Sequence, residues 1–555
     1  MPTSIFNSVN SVRNEAVDVV VVGSGGGALT AAITAADRGA QVAVFERSER
    51  FGGTTGYSGG KIWIPNNHHM RRLGIPDSIA AARIYLNRVI GDDYPHMIEA
   101  FLEHAPEMAK YVETNTPLEF YPCVNYPDYH PRLEGATIGR AVDAVPFDAS
   151  GLGDHVERVS RNPAFVPFTH EEWERWRSPT NFDWDLLDER TANNVFTVGA
   201  AIVAALLQGC LDRGIALHHS TRVVRLLRKD EGVRGVEVEK DGDVATVSAR
   251  QGIVLACGGF EWNGDMQRRF LRGPIGGAAS APSNEGDGIV MGAEIGAQLG
   301  NMSEAWWAPL LQVPGESVDG RPLGRALINE RGLPGSIIVN RRGQRFVNEA
   351  HNYNDVTKVF HAFDPVAYDW PNIPAWLVFD ERFHSRYSVA TIAPGQAVPD
   401  WVVQAETPAE LASVMGIDPK GLEETLTRFN EFARTGQDID FGRGNDAYDQ
   451  YYGDESVKPN SNLAPIEEPP FYAVEIVPGT IGTKGGLVTD ARARVLDVRG
   501  AVIPCLYACG NVAAFWMGRG YPGPGASIGP AMTFGYLAGM DATARSAAPA
   551  AKGTK

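Results

Sequence analysis

Residues 17–46 constrain this chain more than any other stretch. Val17 to Val22 is an apolar run broken only by Asp18, and Gly23 ends it. Gly23-Ser24-Gly25-Gly26-Gly27-Ala28 comes next, then an Ala-rich stretch to Arg38, a break at Gly39 and an apolar run from Gln41 to Phe45. Strand, helix and strand in so short a span make a βαβ unit with parallel strands. The glycine loop fits G-x-G-x-x-A at the strand-to-helix turn. Gly23 permits the tight turn, Gly25 lets backbone approach a pyrophosphate, and Ala28 lets the helix pack on the strand. Gly27 belongs to the same cradle. A pyrophosphate there meets the free N–H groups of the helix N-terminus. Glu46 ends the second strand, where an acid accepts hydrogen bonds from ribose hydroxyls. Gly518 to Gly523 fits the G-x-G-x-x-G spacing too, but no clear strand runs into it and Pro522 interrupts it.

The bulk properties narrow the class. A formal net charge of −17 argues against a nucleic-acid binder, whose partner requires basic surface. No apolar run is long enough for a transmembrane helix, and Met1 to Ala16 lacks the apolar core of a signal peptide. A cytoplasmic enzyme is expected. The five cysteines (Cys123, Cys210, Cys257, Cys505 and Cys509) form no C-x-x-C pair, so buried reduced thiols are expected rather than zinc, an iron–sulfur cluster or c-type haem. The pairs His68-His69 and His218-His219 lack i, i+4 spacing with a third ligand, and no metal site is expected.

Along the chain, residues 77–90 and 93–114 read as helices with Asp77 and Asp93 as N-caps. Residues 121–192, rich in Pro, Trp, Phe and acids without a clear period, read as a long excursion covering the active site. Asn194 to Arg213 reads as an apolar helix ended by Gly214. Ile215 to Ala256 alternates, with turns at Asp230–Gly232 and Asp241–Gly242. Helices are expected near 408–415 and 419–434, and a closing helix from Gly529 to about Arg545. The expected class is α/β: a Rossmann-like FAD-binding domain with an inserted α+β catalytic domain. The boundaries are 15–305 for the first part of the FAD-binding domain, 306–479 for the catalytic domain, 480–545 for the return segment, and 546–555 for a frayed tail.

FAD rather than NAD is indicated by a second small-residue loop, Gly52-Gly53-Thr54-Thr55-Gly56-Tyr57-Ser58-Gly59-Gly60. So close to Glu46, it can wrap the ribityl phosphate and reach the flavin. Leu255-Ala256-Cys257-Gly258-Gly259 and Leu506 to Asn511 supply two more glycine-rich strand ends. This set resembles the fumarate reductase/succinate dehydrogenase flavoprotein superfamily over Val17–Gly60, Ile253–Gly259, Ser283–Gly292 and Tyr507–Gly535. Members with covalent flavin carry a His just before the Gly59-Gly60 position. Tyr57 and Ser58 stand there, so the resemblance implies non-covalent FAD. It implies cofactor contacts from Arg47, Gly53, Thr54, Thr55, Ser58, Gly59, Gly60, Val223, Gly258, Gly259, Asp287, Gly510, Asn511, Ser527 and Ile528.

Within the superfamily the chain resembles the 3-ketosteroid dehydrogenases, most closely the Δ1 group. The match rests on Tyr521-Pro522-Gly523-Pro524-Gly525, on Phe346 to Glu349 leading to Tyr353, on Pro127 to Pro131, and on Trp306-Trp307 with Pro309. Desaturating a ketone beside its carbonyl needs donors on the oxygen, a base for the α-proton and a hydride acceptor. The resemblance implies that the Tyr521 hydroxyl and the Gly525 N–H hold the ketone. Tyr353 takes the proton as tyrosinate, and Tyr129 assists it. An ordinary Tyr pKa of about 10 then predicts an alkaline optimum. The length of 121–192 is where the chain departs from the family.

The expected partners are a ketone, with a steroid as the first expectation, and an external electron acceptor, either a quinone or an electron-transfer protein. The alternatives are a 3-keto-5α-steroid Δ4-dehydrogenase, a dehydrogenase of a smaller cyclic ketone such as an oxocyclohexane carboxylate, and an electron-relay flavoprotein subunit. A reductive, fumarate-reductase-like enzyme would employ an Arg acid and His/Arg carboxylate clamps. The Tyr/Gly set speaks against it.

Overall fold

The computed structural model describes residues 15–544. The tail 546–555 and most of the Met1–Ala16 segment lie outside them. Glu15–Val22 forms the central strand of a sheet ordered Arg494–Leu496, Val502–Ala508, Asp243–Leu255, Glu15–Val22, Val42–Phe45 and Ala216–His218. All neighbours from Val502–Ala508 to Ala216–His218 run parallel, and Arg494–Leu496 is an antiparallel edge. Parallel strands covered on both faces read as unbroken apolar runs, and Val19 to Val22 are all buried. Gly232–Lys240 and Arg222–Lys229 add the antiparallel extension. Its turns sit where Asp230, Asp241 and Gly242 take positive φ.

Helix Gly26–Asp37 packs on the last helix, Ile528–Ala544, which starts within a residue of expectation and runs to the last of the described residues. A second, seven-stranded sheet is built around Phe471–Thr483, which pairs antiparallel with Ala305–Leu311, Ala375–Asp380 and Val403–Ala405, and parallel with Gly277–Ala278. Helices Pro408–Met415 and Pro419–Thr435 begin at Thr407 and Asp418 and stop at left-handed Gly416 and Gly436. Each carries its start and stop signals locally.

Two expected caps are corrected. Helix Ile79–Ile90 is capped by Ser78, and the Asp77 carboxylate instead accepts from Arg140. Helix Pro95–Asn115 follows Tyr94 with no side-chain cap, so Asp93 does not cap it. The apolar helix begins at Val198 rather than Asn194, because Val195–Phe196 first pairs with Phe147–Asp148. Residues 121–192 hold short strands, 3-10 turns and helices His170–Trp176 and Trp184–Ala192.

Candidate active site

The parallel strands end together, and their C-terminal loops open onto a cavity of about 680 Å³. This is where an open α/β sheet binds its ligand. Gly23 turns here at φ 98°, and a Cβ on it would lie 2.4 Å from the Ala256 carbonyl oxygen. Gly23, Gly25, Gly27, Ala28, Glu46 and Arg47 line one end, with Gly53, Thr54, Thr55, Ser58, Gly59 and Gly60 beside them. Val223, Gly258, Asp287, Gly510, Asn511, Ser527 and Ile528 complete that wall.

Gly259 is set apart. It does not reach the wall, and its missing side chain makes room for Thr483, whose Oγ1 a Cβ would meet at 2.1 Å. The Phe260 N–H bonds that same Oγ1, so the chain has already turned toward the second sheet.

The residues fit a flavin dinucleotide. The N-cap Gly25 offers helix Gly26–Asp37 no side-chain cap; Thr55 Oγ1 accepts from the Gly26 N–H at 3.0 Å, which leaves the next N–H groups of the first turn to an anion. A Cβ on Gly53 or Gly59 would meet no protein atom within 4 Å, so both present bare backbone to the cavity. Ser24, missed by sequence reading, ties this end together. Its hydroxyl donates to Glu46 at 2.6 Å and accepts from the Gly52 N–H at 2.8 Å. Burial pushes the Glu46 carboxyl up, opposed by bonds from Ser24 and the Ser48 N–H. The Asp287 carboxylate is occupied by Arg47 and Arg222. Arg47 also binds Glu285. Asn511 accepts from Trp306 Nε1 at 3.0 Å, which joins the cofactor wall to the second sheet.

Three phenols on the same cavity stand in line. The Tyr129 hydroxyl donates to Tyr353 at 3.1 Å, and Tyr353 donates to Tyr521 at 3.1 Å. All three are buried yet line the cavity. Tyr353 opens helix Tyr353–Phe360, with Asn352 as cap. Burial pushes the Tyr353 phenol well up, and the Tyr521 hydroxyl adds to this, while the bond from Tyr129 lowers it. Burial likewise raises Tyr521, against bonds from Tyr353 and Ser527. Gly525, at φ 85°, also faces the cavity, and its N–H has no acceptor among the described residues. A Cβ on it would lie 2.1 Å from the Lys61 carbonyl oxygen.

The loops carrying these groups are braced from behind. The Tyr129 N–H and the Tyr85 hydroxyl both donate to the Pro522 carbonyl, at 2.9 and 2.5 Å. Asp128 accepts from Trp63 Nε1 at 2.8 Å and from Arg140 at 2.7 Å. Burial pushes Asp128 up to about 6, with Arg140 opposing. The side walls are aromatic. Tyr126 stacks on His170 and Tyr451 with ring centroids 5.0 and 4.7 Å apart, and its hydroxyl bonds Tyr452. Phe165, Phe168 and Trp173, from 121–192, lie on the same cavity. Among the described residues, Glu330 lines it without an ion-pair partner, and burial raises its pKa.

The FAD binding domain family matches residues 18–528. A 4-oxocyclohexanecarboxylate 2-dehydrogenase of Sinomonas cyclohexanicum is 42% identical, with 94% of this chain and 92% of that protein covered. A 3-oxosteroid 1-dehydrogenase of Mycobacterium tuberculosis is 39% identical, with 94% and 97% covered. The solved structure of a 3-ketosteroid delta1-dehydrogenase from Sterolibacterium denitrificans, in complex with 1,4-androstadiene-3,17-dione, matches with a TM-score of 0.89. It is 37% identical and covers 96% of this chain and 100% of that one. No helix among the described residues is long and apolar enough to cross a membrane. The chain belongs to the FAD binding domain family, as a flavin-dependent oxidoreductase similar to the 3-oxosteroid 1-dehydrogenases.

Proposed function

We propose that the protein desaturates a 3-ketosteroid between C1 and C2. The observation that carries this is the Tyr129–Tyr353–Tyr521 line of phenols, which with Gly525 lines the same cavity as the dinucleotide cradle. The Tyr521 hydroxyl and the Gly525 N–H hold the ketone oxygen and stabilise charge as it develops there. Tyr353 takes the α-proton from C2 as a general base. Tyr129 donates to the Tyr353 oxygen and so favours its ionised form. FAD, bound without a covalent link, supplies the acceptor for the hydride that leaves C1. The aromatic walls exclude water and match an apolar ring system. An external quinone or electron-transfer protein takes the electrons on, and the enzyme works in the cytoplasm. The five free cysteines suit a reducing compartment.

The oxocyclohexane carboxylate relative favours a second reading, a smaller ketone acid. The electrostatics of the cavity oppose it. Every cationic side chain on the wall already faces an acid: Arg47 with Glu285 and Asp287, Arg222 with Asp287, Arg325 with Glu316, and Lys61 with Asp143 at 3.6 Å.

The test is steady-state turnover with a dye acceptor, comparing androst-4-ene-3,17-dione, 5α-androstane-3,17-dione and 4-oxocyclohexanecarboxylate. The largest kcat/KM belongs to androst-4-ene-3,17-dione, with a 1,4-diene-3-one as product. A preference for 4-oxocyclohexanecarboxylate would establish the second reading, and turnover of none of the three would overturn both.

A further inference from the structure

Lys484 directly follows the long strand Phe471–Thr483 and is fully buried. Its Nζ donates to the carbonyls of Gly518 at 2.9 Å and Gly520 at 2.7 Å. It lies 4.1 Å from the centroid of the Trp306 ring and 5.7 Å from that of Tyr521. Among the described residues it has no carboxylate partner. The charged groups facing it are Lys358, Asp355 and Arg272. Asp355 is paired with Lys358, and Arg272 with Glu304. Burial pushes the ammonium well down from its ordinary range.

Against that burial, two carbonyls and an aromatic face favour the ammonium form, but they do not neutralise it. A negative charge forming beside it would. The ketone oxygen held by Tyr521 and Gly525 is the place where the reaction generates one, and the Tyr521 ring is 5.7 Å from the Lys484 Nζ.

We propose that Lys484 is a positioning residue for the ketone chemistry. Through the Gly518 and Gly520 carbonyls and the Trp306 and Tyr521 rings, it fixes the Tyr521 hydroxyl and supplies the positive field that stabilises enolate charge on the ketone oxygen. This rests on Tyr521 being the ketone donor. The same side chain also joins the second sheet to the 518–525 loop, so a purely mechanical role is the competing account.

Oestrone separates the two accounts, because its ionised phenolic A ring mimics the enolate in shape and charge, while the dienone product mimics the neutral ketone. Lys484→Gln keeps amide donors for the two carbonyls and removes the charge. The variant is expected to keep its FAD and to bind the dienone within about twofold of wild type. Its oestrone affinity at pH 8 falls about tenfold or more, as one unit of phenol pKa implies, and its pH–kcat/KM profile moves to higher pH. Equal losses for oestrone and dienone with an unmoved profile, or no loss for either, would overturn the field and leave only the mechanical brace.

Should the variant fail to hold FAD, the ultraviolet spectrum of oestrone bound to wild-type holoenzyme decides. Phenolate absorbance at pH 8, well below a free phenol pKa of about 10, is expected, and a neutral bound phenol overturns the proposal. Wild-type protein that turns over no ketosteroid would overturn the functional reading and the role of Lys484 with it. Ketosteroid turnover with oestrone bound neutral would remove Lys484 alone.

Discussion

At the scale of single residues, the chemistry turns on how a buried phenol becomes a base. Tyr353 sits where burial opposes ionisation, and one bond from Tyr129 favours it. A base whose pKa is raised is deprotonated only as pH rises, so kcat/KM should climb through the alkaline range. A flat acid-to-neutral profile would contradict this. Tyr353→Phe should abolish flavin reduction by the ketosteroid while leaving FAD bound. Tyr129→Phe should slow it and move the profile upward. Tyr521→Phe removes an oxyanion donor and should cost about 10²–10³ in kcat, read by stopped-flow reduction. Gly525 adds a steric prediction. At φ 85°, where a Cβ would lie 2.1 Å from the Lys61 carbonyl oxygen, it has no room for a methyl group. Gly525→Ala should shift the loop and lower turnover more than it lowers FAD content.

Among the elements, the segment bearing Tyr129 is held by a buried charge chain. Arg140 donates to Asp128 and Asp77, all three within about 2% side-chain exposure. Arg140→Met leaves two carboxylates buried without their cation and should destabilise the fold by about 3–5 kcal/mol, measured by denaturant unfolding of the holoenzyme. This chain also explains what sequence reading could reach. The βαβ unit and helices Pro408–Met415 and Pro419–Thr435 were legible because their loops, caps and stops are local. Asp77 looked like a cap because a carboxylate before a helix usually is one. It is claimed instead by Arg140, 63 residues away, and Ser78 caps in its place. Residues 121–192 gave no period because they form short strands and turns that present rings to a cavity rather than one face to a core. The three tyrosines and Gly525 were reached only through resemblance. Nothing in their spacing states that 129, 353 and 521 meet. Ser24 stood inside the glycine loop and Lys484 beside Gly485-Gly486, but their partners lie far off in sequence.

As a whole, the molecule joins a nucleotide cradle on the loops of the parallel sheet to a ring-lined chamber, built from residues 121–192, helix Tyr353–Phe360, the 518–525 loop and Trp306 of the second sheet, in a single cavity. No histidine stands at Tyr57 or Ser58, and acid precipitation should release all the flavin into the supernatant, with none left on the protein. The central claim is that a ketosteroid enters this cavity and gives up its C1 and C2 hydrogens there. The most direct measurement is anaerobic mixing of the purified yellow protein with androst-4-ene-3,17-dione, following the flavin absorbance and the steroid product together. The account predicts bleaching in wild type with a 1,4-diene-3-one formed in equal amount, and neither in Tyr353→Phe. A flavin that dithionite reduces and the steroid does not would contradict it.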